Sequence, residues 1–345
     1  MQVGDPAAEL TGIMVALEAS GDVIDAAVRE GCNLLITHHP LIFKPLQSVT
    51  TATAVGRSLH RAIRAGLSIV SIHTTLDMAG GGLNDLLASH LGLTDVTPLR
   101  SGPRQELIKL TLFVPETHLE SVRAALFPLT ESLGAYRDCS FSAPGTGTFT
   151  PGETAQPYIG SRGTPEQVAE QRLELLLDRR NLDRAVSVLL KVHPYEEPAF
   201  DVYPLLNRGM TWGLGRLGTL AEPVSLAEFA GRIKGSLPAP GLRYTGEPAA
   251  VIRRVALCTG SGASLLRDAA RCGADVLVTG DVKYHDARDA AELGVCLVDA
   301  GHFPTEVIMI DDVAVRVEAA LAEQGYQPVR VIPCRSESDP FHAVP

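Results

Sequence analysis

The sequence predicts an α/β protein: a mainly parallel or mixed sheet with helices on both faces, carrying a small α+β module as an insertion. Three observations predict it. Short β-rich runs alternate with helical patterns over residues 1–104, and the same rhythm returns over residues 250–330. Strands separated by helices imply crossover connections in a sheet covered by those helices. Between these stretches, residues 105–205 follow a different rhythm, with Ile108, Leu110, Leu112 and Val114 alternating as in a half-buried strand. Residues 1–104 and 206–345 are therefore expected to form one discontinuous core, and 105–205 the inserted module.

Each element has its own signal. Ile13–Leu17 reads as a strand and Asp22–Arg29 as a helix. Asn33–Thr37 is a second strand, after which Val55, Leu59 and Ile63 mark a helix face at i, i+4 and i+8. Ile69–Ile72 is a third strand, followed by a helix over Leu83–Leu91. The runs Val255–Cys258, Val276–Thr279 and Val295–Val298 are each followed by a helix. The last of these, from about Pro304, carries Val307, Ile310, Val317 and Leu321. In the middle segment, Thr117-His-Leu-Glu120 reads as a capping box, with Leu119, Val122 and Leu126 on one helix face. A Gly/Thr/Pro-rich stretch runs from Ala143 to Gly163. Thr164-Pro-Glu-Gln167 reads as a second capping box with proline at the first helical position. His193-Pro-Tyr-Glu-Glu-Pro then leads into a strand at Ala199–Tyr203. It reads as an interface loop or, more simply, as a turn before that strand.

Composition bounds the function. The chain has 345 residues, 45% of them hydrophobic, which is ordinary for a packed globular protein. Its formal charge is 30 − 40 = −10, which argues against sequence-independent nucleic-acid binding, since that is driven by Lys and Arg releasing counterions. The N-terminus, MQVGDPAAEL, has no basic stretch followed by an apolar core, and no window approaches the roughly 18 apolar residues of a membrane span. Cys32, Cys139, Cys258, Cys272, Cys296 and Cys334 are scattered with no C-x-x-C spacing. Reduced, buried thiols and a cytoplasmic location are the expectation.

The histidines carry the functional signal. Ligands of open α/β sheets bind beyond the carboxyl ends of the strands. Here the second strand runs into His38-His39-Pro40 and the third into His73-Thr-Thr-Leu-Asp77. The strand at 276–279 runs into Gly280-Asp281, with His285 just beyond, and that at 295–298 into Asp299-Ala-Gly-His302, with Glu306 four residues on. Five of ten histidines are thus expected at one edge of one sheet. Imidazoles with carboxylates suit Zn, Fe, Mn, Co or Ni. Taken singly, each group has a plainer explanation: a strand end, a hydrogen-bonded turn, or an acid at a helix N-terminus. Taken together, those explanations require four coincidences at one edge. Adjacent side chains on a strand diverge, so His38 and His39 suit two neighbouring ions. Gly260-Ser-Gly262 reads as a tight strand-to-helix turn rather than a phosphate cradle.

Gln2-Val-Gly-Asp5, Thr37-His-His-Pro-Leu-Ile-Phe43, His73-Thr-Thr-Leu-Asp77, Gly260-Ser-Gly262, Thr279-Gly-Asp-Val-Lys-Tyr-His285 and Asp299-Ala-Gly-His302 with Glu306 resemble the motifs of the Nif-three-like dinuclear metal-centre proteins, a family also labelled GTP cyclohydrolase I type 2. The resemblance implies that His38, His39, Asp77, His302 and Glu306 are metal ligands holding two divalent ions, with Glu306 as the bridge. It pairs His38 with His302 and His39 with Asp77, and it places His73 and His285 in the lining of the site. It further implies a toroidal homohexamer, and it likens the middle segment to a ferredoxin-like PII/CutA module inserted in longer bacterial members. The family's upstream segment, with its Trp-Asp-Asn-like motif, is missing before Met1. Glu18, Thr75 and Phe303 stand where Asp, Asn and Tyr are usual.

The function expected from the resemblance is a metal-dependent hydrolase that opens GTP to 7,8-dihydroneopterin triphosphate and formate, with His73 or His285 as general acid or base. The substrate is then a small molecule, a nucleotide among the candidates. A non-catalytic metal carrier or insertase would need the same ligands without an acid/base group, and a regulatory scaffold would use the module to bind a nucleotide or a partner.

Overall fold

The computed structural model describes residues 1–326 and 329–342. The chain divides into two compact units, one comprising Met1–Gly102 and Trp212–Pro345, the other Pro103–Thr211.

The larger unit is mixed α/β with two sheets rather than the single sheet expected. One sheet is wholly parallel and four-stranded, in the order Val331–Pro333, Ile13–Ala16, Leu34–Thr37, Ser68–Ser71. The other is six-stranded, in the order Arg243–Thr245, Cys296–Asp299, Val276–Gly280, Val251–Ser261, Thr211–Ser225, Leu93–Arg104. Its Val251–Ser261, Val276–Gly280 and Cys296–Asp299 strands are parallel to one another, with antiparallel pairings on either side. The split arises because Ile13–Ala16 takes the late strand Val331–Pro333 as its second neighbour. Periodicity marks a strand but not the edge it pairs with.

Helices cover both faces of each sheet, following the strand alternation. In the parallel sheet, Met14 and Ala16 pack with Val23, Ile24, Ala27 and Ala62 of helices Gly21–Arg29 and Ala54–Arg64. Val15 and Leu17 face the other way, onto Met309, Ile310 and Val313 of helix Met309–Glu323. In the second sheet, Val255 and Leu257 meet Phe229 and Ile233, while Ala256 and Cys258 meet Leu265 and Ala269. Helix Leu83–His90 belongs to both cores: Leu83 packs in the cluster with Met309, and Leu87 and Ala88 pack in the cluster with Val255. Fully burying a side chain of this size contributes about 1.5–3 kcal/mol, so this short helix ties the two sheets together.

The face expected for the second helix is displaced. Leu59 is buried, but Ile63 is 61% exposed, and Gly56, Ser58 and Ala62 turn inward instead. Each i+4 step overshoots a full turn by about 40°, so two such steps leave the buried stripe.

The smaller unit runs strand–helix–strand–strand–helix–strand. Its sheet order is Ser140–Phe149, Glu166–Asp178, Leu107–Pro115, Phe200–Pro204, antiparallel throughout. Helices Leu119–Leu126 and Leu182–Val192 share one core with Leu110, Leu112, Leu173 and Leu175. Neither expected capping box forms. The chain enters the first helix through a 3-10 turn, Glu116–His118, with Thr117 Oγ1 2.9 Å from His118 Nδ1 and Glu120 paired with Arg123. At Thr164-Pro-Glu-Gln167 the chain opens a strand, Glu166–Asp178, because Leu173, Leu175 and Leu177 bury at a period of two; the helix follows at Leu182.

Candidate metal centre

The carboxyl ends of strands from both sheets of the larger unit converge on one cluster. His38 and His39 follow Leu34–Thr37 directly, and their backbone is pinned on two sides. Ser71 Oγ donates to the His38 carbonyl and Thr37 Oγ1 to the His39 carbonyl, each at 2.8 Å. His73 and Asp77 lie on a short helix, His73–Met78, that begins just beyond Ser68–Ser71. His302 and Glu306 lie at i, i+4 on the helix His302–Glu306, which places them on one face as expected.

Glu306 is the centre of the cluster and is 4% exposed. Its Oε2 lies 3.0 Å from His39 Nε2 and 3.1 Å from His302 Nε2, and its Oε1 lies 3.5 Å from His38 Nε2. His38 Nε2 is also 3.7 Å from Asp77 Oδ1. The His73 ring stands 5.1 Å from that of His38 and 5.5 Å from that of His39. Two groups of three donors therefore converge: His39, His302 and Glu306, and His38, His39 and His73. The expected pairing is reversed. His302 sits with His39, and Asp77 sits with His38, because His38 turns inward toward the neighbouring strand's helix while His39 faces the second sheet.

The outer ring nitrogens are held by carboxylates. His39 Nδ1 lies 2.6 Å from Glu18 Oε1, and His302 Nδ1 lies 2.7 Å from Asp281 Oδ2. An Nδ1–H donated to a carboxylate leaves the Nε2 lone pair facing the cluster, the arrangement that orients metal-binding histidines. The inner atoms are short of partners: both nitrogens of the fully buried His38, Asp77 Oδ1 and Glu306 Oε2 make no aligned hydrogen bond. Buried polar atoms are costly when unmatched. A divalent cation with nitrogen and oxygen ligands satisfies this donor set, so the residues present fit such an ion.

The titration behaviour follows the same geometry. Burial would pull His39 down, but its contacts with Glu18 and Glu306 outweigh that and raise it to about 10. Glu306, against the pull of burial, raises His302 to about 9 with help from Asp281. Burial would raise Glu306 itself, yet the three imidazoles around it hold it far below the carboxylate range. Burial lifts Asp77 to about 6. His73 is lowered, by burial first and then by the neighbouring His38 and His39. Burial also pushes Cys258 up to about 12, with Asp77 and Glu306 adding to it, which keeps the thiol protonated beside the carboxylates.

His285 does not join the cluster. It is exposed on the first turn of helix Tyr284–Leu293, its ring 5.3 Å from that of Tyr284. Other residues support the site with no obvious mark in the sequence. Glu337 accepts from the backbone N–H of Leu17 and Glu18 at 2.7 and 2.8 Å. Buried Asn84 donates to the Asp77 carbonyl and accepts from Thr259 N–H. Thr305 Oγ1 accepts from Gly260 N–H at 3.0 Å. Gly260, at φ +59°, passes so close to the Glu306 carboxylate that a Cβ would collide with it. The turn glycine is therefore a steric requirement of the site. A cavity of about 920 Å³ opens beside His39 and His302, lined also by Glu18, Arg243, Asp281 and Phe341.

All six cysteines are free; Cys32, Cys258 and Cys334 are buried as expected, whereas Cys139, Cys272 and Cys296 are half-buried. No helix among the described residues is long and apolar enough to cross a membrane.

The profile of a family described as Duf34/NIF3 (NGG1p interacting factor 3) matches residues 1–340. A protein of Halalkalibacterium halodurans named GTP cyclohydrolase 1 type 2 homolog is 42% identical over 330 residues, covering 95% of this chain and 88% of the relative. A Bacillus subtilis protein of the same name is 36% identical over 342 residues, covering 99% and 91%. The crystal structure of a Bacillus cereus protein related to NIF3 superposes with a TM-score of 0.85 at 38% identity, covering 99% of this chain and 92% of that one.

Proposed function

The chain belongs to the Duf34/NIF3 family, and on that premise we propose that it is a metal-dependent hydrolase holding two divalent ions through His38, His39, Asp77, His302 and Glu306. The observation that carries the reading is the convergence of buried, unpartnered donor atoms on Glu306. Zn, Fe, Mn, Co and Ni all suit the ligand set. When bound, such a pair of ions supplies an activated water and polarises an electrophile. The protein's own residues do the rest. Glu18 and Asp281 fix the ring orientation of His39 and His302. Glu306 reaches both sides of the cluster, Oε2 toward His39 and His302 and Oε1 toward His38. His73, kept neutral by burial and its imidazole neighbours, is placed to accept a proton at the edge of the cluster. His285 would act only from the exposed helix beyond Asp281. The cavity beside His39 lies in the size range of small-molecule sites.

GTP, opened to 7,8-dihydroneopterin triphosphate and formate, is the substrate that the relatives' name suggests. A metal carrier is the second reading, favoured by the position of His285 outside the cluster. The smaller unit's strand order supports a ferredoxin-like, PII/CutA-like module. A toroidal homohexamer and a cytoplasmic location rest on the family resemblance; exposed Phe43, Leu46 and Val49 in the larger unit are apolar surface that an interface between copies would cover. The test is a metal-by-metal activity screen with GTP and other nucleotides, run alongside metal analysis. Two ions per chain with turnover that His73→Ala removes supports the hydrolase. Two ions with no turnover of any nucleotide supports the carrier.

A further inference from the structure

The smaller unit holds a second cavity, of about 640 Å³, that the metal chemistry does not use. Its origin lies in the sheet. Along Glu166–Asp178, Leu173, Leu175 and Leu177 face the helices, so Glu170 and Arg172 fall on the opposite face, which a two-layer fold leaves open to water. Here that face is covered. The Gly/Thr/Pro-rich segment contributes Phe149, Pro151 and Tyr158, and the His193-Pro-Tyr-Glu-Glu-Pro motif contributes Tyr195, Glu196 and Glu197.

The cover buries a carboxylate. Glu170 is only 8% exposed, and its Oε1 accepts a hydrogen bond from Tyr195 Oη at 2.8 Å. Gly147 passes directly over the same carboxylate, too close for any Cβ. A carboxylate is rarely this buried without a cation. Arg172, the basic residue lining the cavity, is turned to Glu174 at 2.9 Å. Three carboxylates then face the space against one guanidinium already paired, which disfavours phosphates. The walls are aromatic: the Tyr195 ring lies 5.9 Å from Phe149 at 60° and 6.4 Å from Tyr158 at 47°. Aromatic faces beside a desolvated carboxylate attract positive charge on an apolar body.

We propose that this cavity binds a small organic cation, an amine or amidinium on an apolar body, with Glu170 as counter-ion and Tyr158 and Tyr195 as walls. The glutamate's second oxygen and the ring faces are the recognising groups; Tyr195 positions the carboxylate.

The experiment is calorimetric titration of the full chain with benzamidine, with neutral benzamide as the isosteric control and GTP as an anionic one. Benzamidine should bind about tenfold or more tighter than benzamide, the equivalent of one charge-assisted contact, and GTP should not displace it. Glu170→Gln, which keeps an acceptor for Tyr195, should erase the preference for the cation. Tyr158→Ala, at a half-exposed position where folding is not at stake, should weaken both probes. Equal binding of benzamidine and benzamide, no binding of either, or displacement by GTP would each overturn the proposal. So would a folded Glu170→Gln variant that keeps the preference or, if that variant does not fold, a Tyr158→Ala variant that binds benzamidine as the native chain does.

Discussion

His39 Nε2 and His302 Nε2 face each other at 3.3 Å across 263 residues of chain, and both stand next to Glu306 Oε2. Two imidazole nitrogens and one carboxylate oxygen converging on the same small volume form one side of the cluster. His38, Asp77 and the other Glu306 oxygen form the opposite side.

This grouping makes a mutational pattern. His39→Ala and His302→Ala should deplete the same ion, and His38→Ala and Asp77→Ala the other. Removing both members of one pair should add little beyond the first loss, because residues acting on one ion are not additive. Glu306→Ala should lose both. Metal titration of the single and double variants reads this directly, and depletion of one ion by both His39→Ala and Asp77→Ala would show the pairing to be wrong.

Glu18 and Asp281 touch only the outer nitrogens of His39 and His302. Glu18→Gln and Asp281→Asn should each weaken metal binding about 10–100-fold while leaving the unfolding transition of metal-free protein nearly unchanged. An unaltered affinity in both variants would remove the orienting role.

Gly260→Ala introduces two problems at once: a non-glycine residue at φ +59° and a methyl group against the Glu306 carboxylate and the His302 ring. The backbone part alone costs about 1–2 kcal/mol. The variant should melt lower and hold less metal, whereas Gly294→Ala, also at positive φ but with open space around it, should melt lower without metal loss. Equal metal content in the two variants would contradict the steric account.

Leu83 is 1% exposed where helix Leu83–His90 bridges the two sheets of the larger unit. Leu83→Ala should cost about 2–5 kcal/mol, read as a shift of the denaturation midpoint. A shift below 1 kcal/mol would mean the helix is not the tie between those cores.

His193 couples the smaller unit to pH. Its Nε2 contacts the Phe113 carbonyl at 3.0 Å, while Nδ1 accepts from Tyr195 N–H at 3.1 Å. Burial lowers its pKa, against the pull of the Phe113 carbonyl. The folded state therefore binds the proton less readily than the unfolded chain. Its stabilising contribution is complete above the ordinary histidine value of about 6.5 and is lost as pH falls toward the lowered folded value. Unfolding free energy should drop between pH 7.5 and 5, and His193→Gln should flatten that slope. An equal slope in the variant would exclude His193 as the cause.

The cluster is legible in the sequence because His38 and His39 stand immediately beyond a recognisable strand, His73 and His302 follow two others within a few residues, and His302 and Glu306 share a face at helical spacing. What the donors do to one another is not legible. Whether His302 meets His38 or His39 depends on how two sheets, rather than one, bring their edges together, and that rests on pairings such as Ile13 with Val331. Glu337 is unreadable for the same reason: it reaches Leu17 and Glu18 across more than three hundred residues. The strand at Glu166–Asp178 is misread as a helix because a capping box is a four-residue signal. The burial of Leu173, Leu175 and Leu177 extends over a longer stretch and decides the conformation.

The parallel pairing of Ile13–Ala16 with Val331–Pro333 also has a consequence for biogenesis. Roughly 300 residues must leave the ribosome between the two strands, which at typical synthesis rates takes about 15–60 s. Throughout that interval the nascent first sheet presents Ile13–Ala16 as an uncapped edge, and the histidines at its end wait for Glu306. Partly synthesised chains are therefore exposed to strand addition by other polypeptides, and a chaperone that shields this edge would act before, not after, the last segment emerges.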